Sequence, residues 1–194
     1  ILLSGGQLLK DGGTLSVVNH YSLLSEGSHE FMDDLSLLTR KAGLQEIRFD
    51  SISIFNDGEA VKGTIRTGSN VSIDLVLSSQ QVNHSVDPAY SRIAIAFFND
   101  SGASVVLSSE MLENVTVLTS KPIRYARFTL PKNPLTPGLY RVVLFLESLG
   151  VIQDWITEGV SIRVEAGDYY GSGRMCPVGY EGKAILVDYT LSLG

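Results

Sequence analysis

Leu139-Tyr-Arg-Val-Val-Leu-Phe-Leu-Glu147 decides the fold, because it pairs a two-residue apolar period with β-branched and aromatic side chains that favour an extended backbone. If Val142, Leu144 and Leu146 face a core, then Arg141, Val143, Phe145 and Glu147 face away from it. The same texture returns in IRFDSISIF (47–55), VSIDLVLSS (71–79), RIAIAFF (92–98), YARFTL (125–130), VSIRVE (160–165) and AILVDYTL (184–191). Asn56-Asp57-Gly58, Asn99-Asp100-Ser101-Gly102 and Pro134-Leu135-Thr136-Pro137-Gly138 separate these runs with residues that tolerate positive φ or preset φ. No long helical pattern lies between the strands, which excludes βαβ wiring. The expected fold is therefore mainly β, an antiparallel sandwich of the immunoglobulin-like or jelly-roll kind spanning residues 44–194.

The first 43 residues read differently. Leu15, Val18 and Tyr21 have helical spacing, with Thr14 placed as an N-cap, so a helix is expected to Leu24. Residues 25–43 mix charge with a short helix-compatible stretch, Phe31 to Leu38, and read as a linker. With 194 residues, 44% of them hydrophobic, the chain can bury one core with a small appendage. A net charge of −6 and the lack of a Lys/Arg run argue against nucleic acid as a partner. A single cysteine, Cys176, cannot form an internal disulfide, and no apolar run approaches the roughly 20 residues that cross a bilayer. Without an export signal the expected setting is cytosolic. A start at Ile1 suggests a fragment.

Leu3-Ser-Gly-Gly-Gln7 matches the signature motif of ABC-transporter ATPases, but such a motif works only with a phosphate loop upstream and an acidic strand end downstream. Neither is present, so the five letters read as a strand and a Gly turn. A broader pattern carries more. An apolar run, Gly6, Leu8-Leu9, Asp11-Gly12, Val17-Val18 and Tyr21 looks like the C-terminal end of an ABC nucleotide-binding domain. Downstream come Thr67-Gly68 before Val71–Leu75, Ile93–Gly102, Leu135–Val142, and Gln153-Asp154-Trp155 before Val160–Val164. In that order they resemble the C-terminal region of the Wzt family, ATPase subunits of O-antigen polysaccharide transporters.

The resemblance implies that residues 1–24 are the remnant of a nucleotide-binding domain, 25–43 a linker and 44–194 a carbohydrate-binding β-sandwich. It implies recognition of an O-antigen polysaccharide at its capped, non-reducing end, coupled to export through a Wzm-type transmembrane subunit at the inner face of the bacterial inner membrane. It also implies a homodimer that exchanges strand 184–191, and no catalysis, cofactor or metal in this chain. The terminal strand on its Gly-rich connector, residues 167–182, suits such an exchange.

Alternation then narrows the ligand surface. Ser72, Asp74, Val76 and Ser78 point outward on one strand, Arg92, Ala94, Ala96 and Phe98 on another, and Arg141, Val143, Phe145 and Glu147 on a third. Sugars suit apolar platforms among fixed charges, since C–H faces pack on rings while hydroxyls and anions take charged hydrogen bonds. Arg92, Phe98, Arg141, Phe145, Glu147 and Asp74 are the carbohydrate-binding candidates, and Tyr90, Asp154 and Trp155 the secondary ones. The same face could instead be covered by a second subunit or a loop, and Trp155 could instead be a core anchor.

Other chemistries have thinner support. His20, His29 and His84 lack ligand spacing for a metal. Glu147 with Asp154 would offer a glycosidase-like carboxylate pair, and Asp33-Asp34 reads as solvated charge. Sequons at Asn70, Asn83, Asn99 and Asn114 matter only in a secreted eukaryotic chain. Three classes thus stand side by side: a glycan-binding module, a structural dimerisation domain without ligand, and a β-sandwich enzyme.

Overall fold

The computed structural model describes residues 2–4, 7–12, 31–79, 91–99, 102, 104–111, 124–177, 179–180, 184–188 and 190. The chain divides into two units, Ile1–Glu30 and Phe31–Gly194. In the first, β1 (Leu2–Ser4) and β2 (Gln7–Lys10) pair antiparallel, and the Gly turn expected between them lies outside the described residues. The helix expected to Leu24 lies outside the described residues.

The second unit is a β-sandwich. One sheet orders its strands β4-β3-β6-β9: β3 (Ile47–Asn56), β4 (Glu59–Val61), β6 (Val71–Ser79) and β9 (Tyr125–Leu130), all antiparallel. The other follows β5-β12-β10-β7-β8, with β11 also on β10: β5 (Thr64–Arg66), β7 (Ser91–Phe98), β8 (Ser104–Ser108), β10 (Gly138–Ser148), β11 (Val151–Ile156) and β12 (Ser161–Glu165). Its β12–β5 pair is parallel. Ile52, Ile54, Ile73 and Leu75 from the first sheet meet Ile95, Phe97, Val142, Leu144 and Leu146 from the second in one buried cluster. Ile73, Leu75, Ile95, Phe97, Val142, Leu144 and Leu146 are the positions that alternation assigns inward, and the burial of the whole cluster drives the pairing of the two sheets.

Short connections fix the hairpins. Asp57 and Gly58 take φ of 52° and 89° between β3 and β4, and Leu149 and Gly150 take 53° and 76° between β10 and β11. Two successive left-handed residues match the twist of the flanking strands. The strands β4, β5, β8 and β11 are absent from the sequence reading: three are short, and β11 carries Gln153-Asp154 where apolar alternation would be sought.

Residues 31–43, read as linker with a helix-compatible stretch, contain no helix and pack on the sandwich. Leu35 is fully buried, and Asp34 bridges Ser51 at the bulge of β3. Lys41 donates to the Trp155 carbonyl (2.8 Å) and Gln45 to that of Gln153 (2.8 Å), so residues 41–45 line the outer edge of β11. Gly43, with φ of 128°, permits this approach, because a Cβ there would strike the Gln153 carbonyl.

The C-terminal segment differs from its expected strand. Among the described residues of 184–190 there is one bridge, Ile185 to Leu135, supported by Leu186 N–H on the Pro134 carbonyl (2.7 Å). Ile185 and Val187 remain exposed. A strand needs a continuous ladder, and Pro134 and Pro137 beside this bridge cannot donate to one.

Candidate functional site

The outer face of the six-stranded sheet collects most of the candidate residues. Register places Phe98 beside Arg141, Ala96 beside Val143, Ala94 beside Phe145 and Arg92 beside Glu147. On the far edge of β10, Phe145 pairs with Trp155. Trp155 is half-buried and faces outward, joining the face as a platform. The Phe145 and Trp155 rings meet edge to face, 5.7 Å apart at 83°. Arg92 lies over Phe145 at 4.6 Å and Lys41 over Trp155 at 4.2 Å, so a cation flanks each ring. Between these groups and β8 the floor is small, with Ala94 and Ala96 in the middle of the sheet.

Charge is distributed unevenly along this face. The Arg92 guanidinium pairs with Glu147 (3.0 Å) and with Glu110 (3.3 Å) from the 3-10 turn Ser109–Met111. Among the described residues, its Nε is buried without a hydrogen-bond partner, as is the hydroxyl of Ser108, which sits next to Ala94. Arg141, at the other end, donates to the Thr157 carbonyl (2.7 Å) and stacks over Phe98 at 5.1 Å. It has that carbonyl because β11 and β12 do not form one continuous strand: residues 157–159 bulge out before Val160 returns to accept the Val142 N–H (2.9 Å). The bulge opens a cleft of about 480 Å³ lined by Thr39, Lys41, Arg141, Thr157 and Glu158.

Asp74 belongs elsewhere. It sits on β6, on the outer face of the other sheet, where the Arg127 Nε and Nη2 each donate to it at 2.6 Å. Burial works to raise its pKa, but the hydrogen bonds from Arg127 and Tyr125 and the Arg127 charge outweigh that and hold the carboxyl below the usual range. Alternation assigns Asp74 outward correctly, yet it does not bring it to the Arg92 surface.

Asp154 is fully buried and cannot meet a ligand from solvent. Its Oδ2 accepts the Phe49 N–H (2.9 Å), and Oδ1 makes an ion contact with Arg40 Nε at 3.1 Å without hydrogen-bond geometry. Arg40 also donates to the carbonyls of Leu35 (2.6 Å), Leu38 (3.0 Å) and Phe49 (3.0 Å). Both backbone groups of Phe49, beside the β3 bulge, are thus satisfied by side chains. Burial pushes the Asp154 carboxyl upward, against the Phe49 N–H and the Arg40 charge. Glu147 and Asp154 therefore do not form an accessible carboxylate pair: one is on the surface with Arg92, the other in the interior.

Tyr90 and the three histidines lie outside the described residues. Among the described residues, no group of three His, Cys, Asp or Glu is placed to hold a metal ion. Lys41, Glu110, Thr157 and Glu158 are the site residues that alternation could not find, since none lies on a core strand with a readable period. A weak signal exists for the bulge: Thr157-Glu158-Gly159 interrupts an otherwise extended run, and Gly159 has φ of 93°.

Comparison with curated proteins gives no match. The crystal structure of the C-terminal domain of Wzt is similar in fold, with a TM-score of 0.54 at 15% sequence identity, covering 81% of this chain and 92% of that one. Residues 39–175 match the family model of the Wzt C-terminal domain, a span that takes in the cleft, the aromatic pair and both sheets. With more than half of its length inside that match, the chain belongs to the Wzt C-terminal domain family.

Proposed function

We propose that this chain is a non-catalytic carbohydrate-binding module that holds the end of an O-antigen polysaccharide on the outer face of its six-stranded sheet. The family fits a carbohydrate-binding role in O-antigen transport. The observation that supports the surface is the half-buried Phe145–Trp155 pair with Arg92 and Lys41 over its rings. Rings of this kind stack against the C–H faces of a sugar, and the charged groups beside them bond its hydroxyls.

Calorimetric titration of the chain with purified O-antigen oligosaccharides tests this reading. Trp155→Ala and Phe145→Ala should each weaken binding about tenfold or more, the loss of roughly 1.5 kcal/mol of stacking, while circular dichroism stays native. Unchanged affinity in both variants would sink the assignment.

The rest of the expected context belongs to the same proposal. Residues 1–24 would close a nucleotide-binding domain, and 25–43 would connect it to the sandwich with their second half fixed in place. That domain would engage a Wzm-type transmembrane subunit at the cytoplasmic face of the inner membrane, coupling recognition of the capped end to export. A homodimer exchanging residues 184–191 is supported by the exposed Ile185 and Val187 on a segment that, among the described residues, forms one isolated β-bridge and no strand ladder with its own chain. Deletion of residues 184–194 should then yield a monomer or an unstable protein by light scattering, and an unchanged stable dimer would refute the exchange.

A further inference from the structure

We infer that the cleft at the Arg141 end is an anion subsite, and that it orients an acidic saccharide along β7. This inference rests on the carbohydrate-binding reading and deepens it by naming a ligand class. The face has a charge gradient along β7, from Arg92 to Phe98, over about 20 Å. At the Arg92 end one guanidinium meets two carboxylates, Glu147 and Glu110, so that end carries no spare positive charge. At the other end two cations, Arg141 and Lys41, share the cleft with one acid, Glu158.

These two cations are held in place by groups that leave their charge unspent. Arg141 rests on Phe98 and the Thr157 carbonyl, and Lys41 rests on Trp155. Among the described residues, neither has a carboxylate within ion-pair distance. In a chain with 21 acidic and 15 basic residues, solvated cations have ample acids to meet, and elsewhere on the sandwich Lys62, Arg92 and Arg127 do meet them. A guanidinium whose fork is still open suits two anionic oxygens, as a carboxylate or a phosphate ester presents, and an ammonium beside it adds a point charge. Thr39 and Thr157 supply hydroxyls at the same wall. At the opposite end, the buried Arg92 Nε and Ser108 hydroxyl lack hydrogen-bond partners among the described residues and suit neutral sugar hydroxyls. The saccharide would therefore lie with its acidic group at the bulge of residues 157–159 and neutral rings toward Arg92.

The test pairs oligosaccharides that end in a uronic acid, or in a sugar phosphate, with their carboxyl-reduced or dephosphorylated counterparts, titrated into the full chain. The acidic form should bind about ten- to hundredfold tighter than its neutral partner, with the difference shrinking as salt rises. Arg141→Gln and Lys41→Gln should each reduce that ratio, whereas Arg174→Gln, a charge control in the exposed tail, should keep it. A preference confined to one acid class supports the subsite and identifies the anion. Equal affinity for acidic and neutral forms, or a ratio that survives both cleft variants, overturns the subsite and leaves the glycan-binding reading standing. Absence of binding to every saccharide overturns both.

Discussion

The outer faces of the two sheets use arginine in opposite ways. On the four-stranded sheet Arg127 places both arms of its fork on Asp74, between Phe55 and Tyr125. On the six-stranded sheet Arg141 and Lys41 lie on aromatic rings beside an open cleft. The two surfaces share an alternation pattern and a core, and both mix rings with charge. What separates them is where the charge is consumed: a bidentate ion pair has its directional bonds satisfied internally, while a cation on a ring keeps its N–H groups available. A polar and aromatic face therefore becomes a candidate for recognition when its cations are steadied by something other than a carboxylate.

The largest expected effect tests whether the proposed recognition face depends on the segment outside the sheets. Arg40→Ala leaves the buried Asp154 carboxyl without its cation, and breaking such a pair costs about 3–5 kcal/mol. Urea denaturation should show a loss of that size, together with weaker saccharide binding, because Arg40 holds the segment that delivers Lys41 to Trp155. A destabilised protein with intact acid preference would break the link between segment and face.

The smaller effect is on the other sheet and concerns pH. The folded pKa of Asp74 is depressed, so its contribution to stability is complete above the unfolded value of 3.8 and is lost as pH falls through the lower folded value. Asp154 has the opposite sign: its raised pKa means that ionisation costs stability at neutral pH, and protonation on acidification relieves that cost. Asp74→Asn should flatten the acid limb of thermal stability below about pH 4 and leave saccharide affinity at neutral pH unchanged. An affinity change would mean that the four-stranded face also takes part in binding.

Much of this architecture is legible in the residues. Six strand assignments from 47–55 to 160–165 find their place, and Ile73, Ile95 and Leu144 turn inward as alternation requires. Alternation cannot say which sheet a strand joins, because that depends on pairing between distant segments, so it groups Asp74 with residues on the opposite side of the sandwich. Trp155 could be a platform or a core anchor on sequence grounds; its pairing with Phe145 across the β10–β11 hairpin sends it outward. Asp154, next to it, turns inward for the same reason of alternation. Lys41 has no periodic signature at all, and its role depends on backbone bonds to β11 that only the folded chain creates.

The clasp between Phe49 and Asp154 joins residues 105 positions apart. On a ribosome, that distance becomes time. Synthesis proceeds from the N-terminus at about 5–20 residues per second, so several seconds separate the appearance of Lys41 from that of Trp155. The parallel partner of β5, residues 161–165, arrives later still. Non-local pairings of this kind form only after the intervening chain has been made and closed. The aromatic pair, the cleft and the cation above Trp155 thus come into being together, at the end of translation of the sandwich, and a half-made chain presents no part of the proposed binding face.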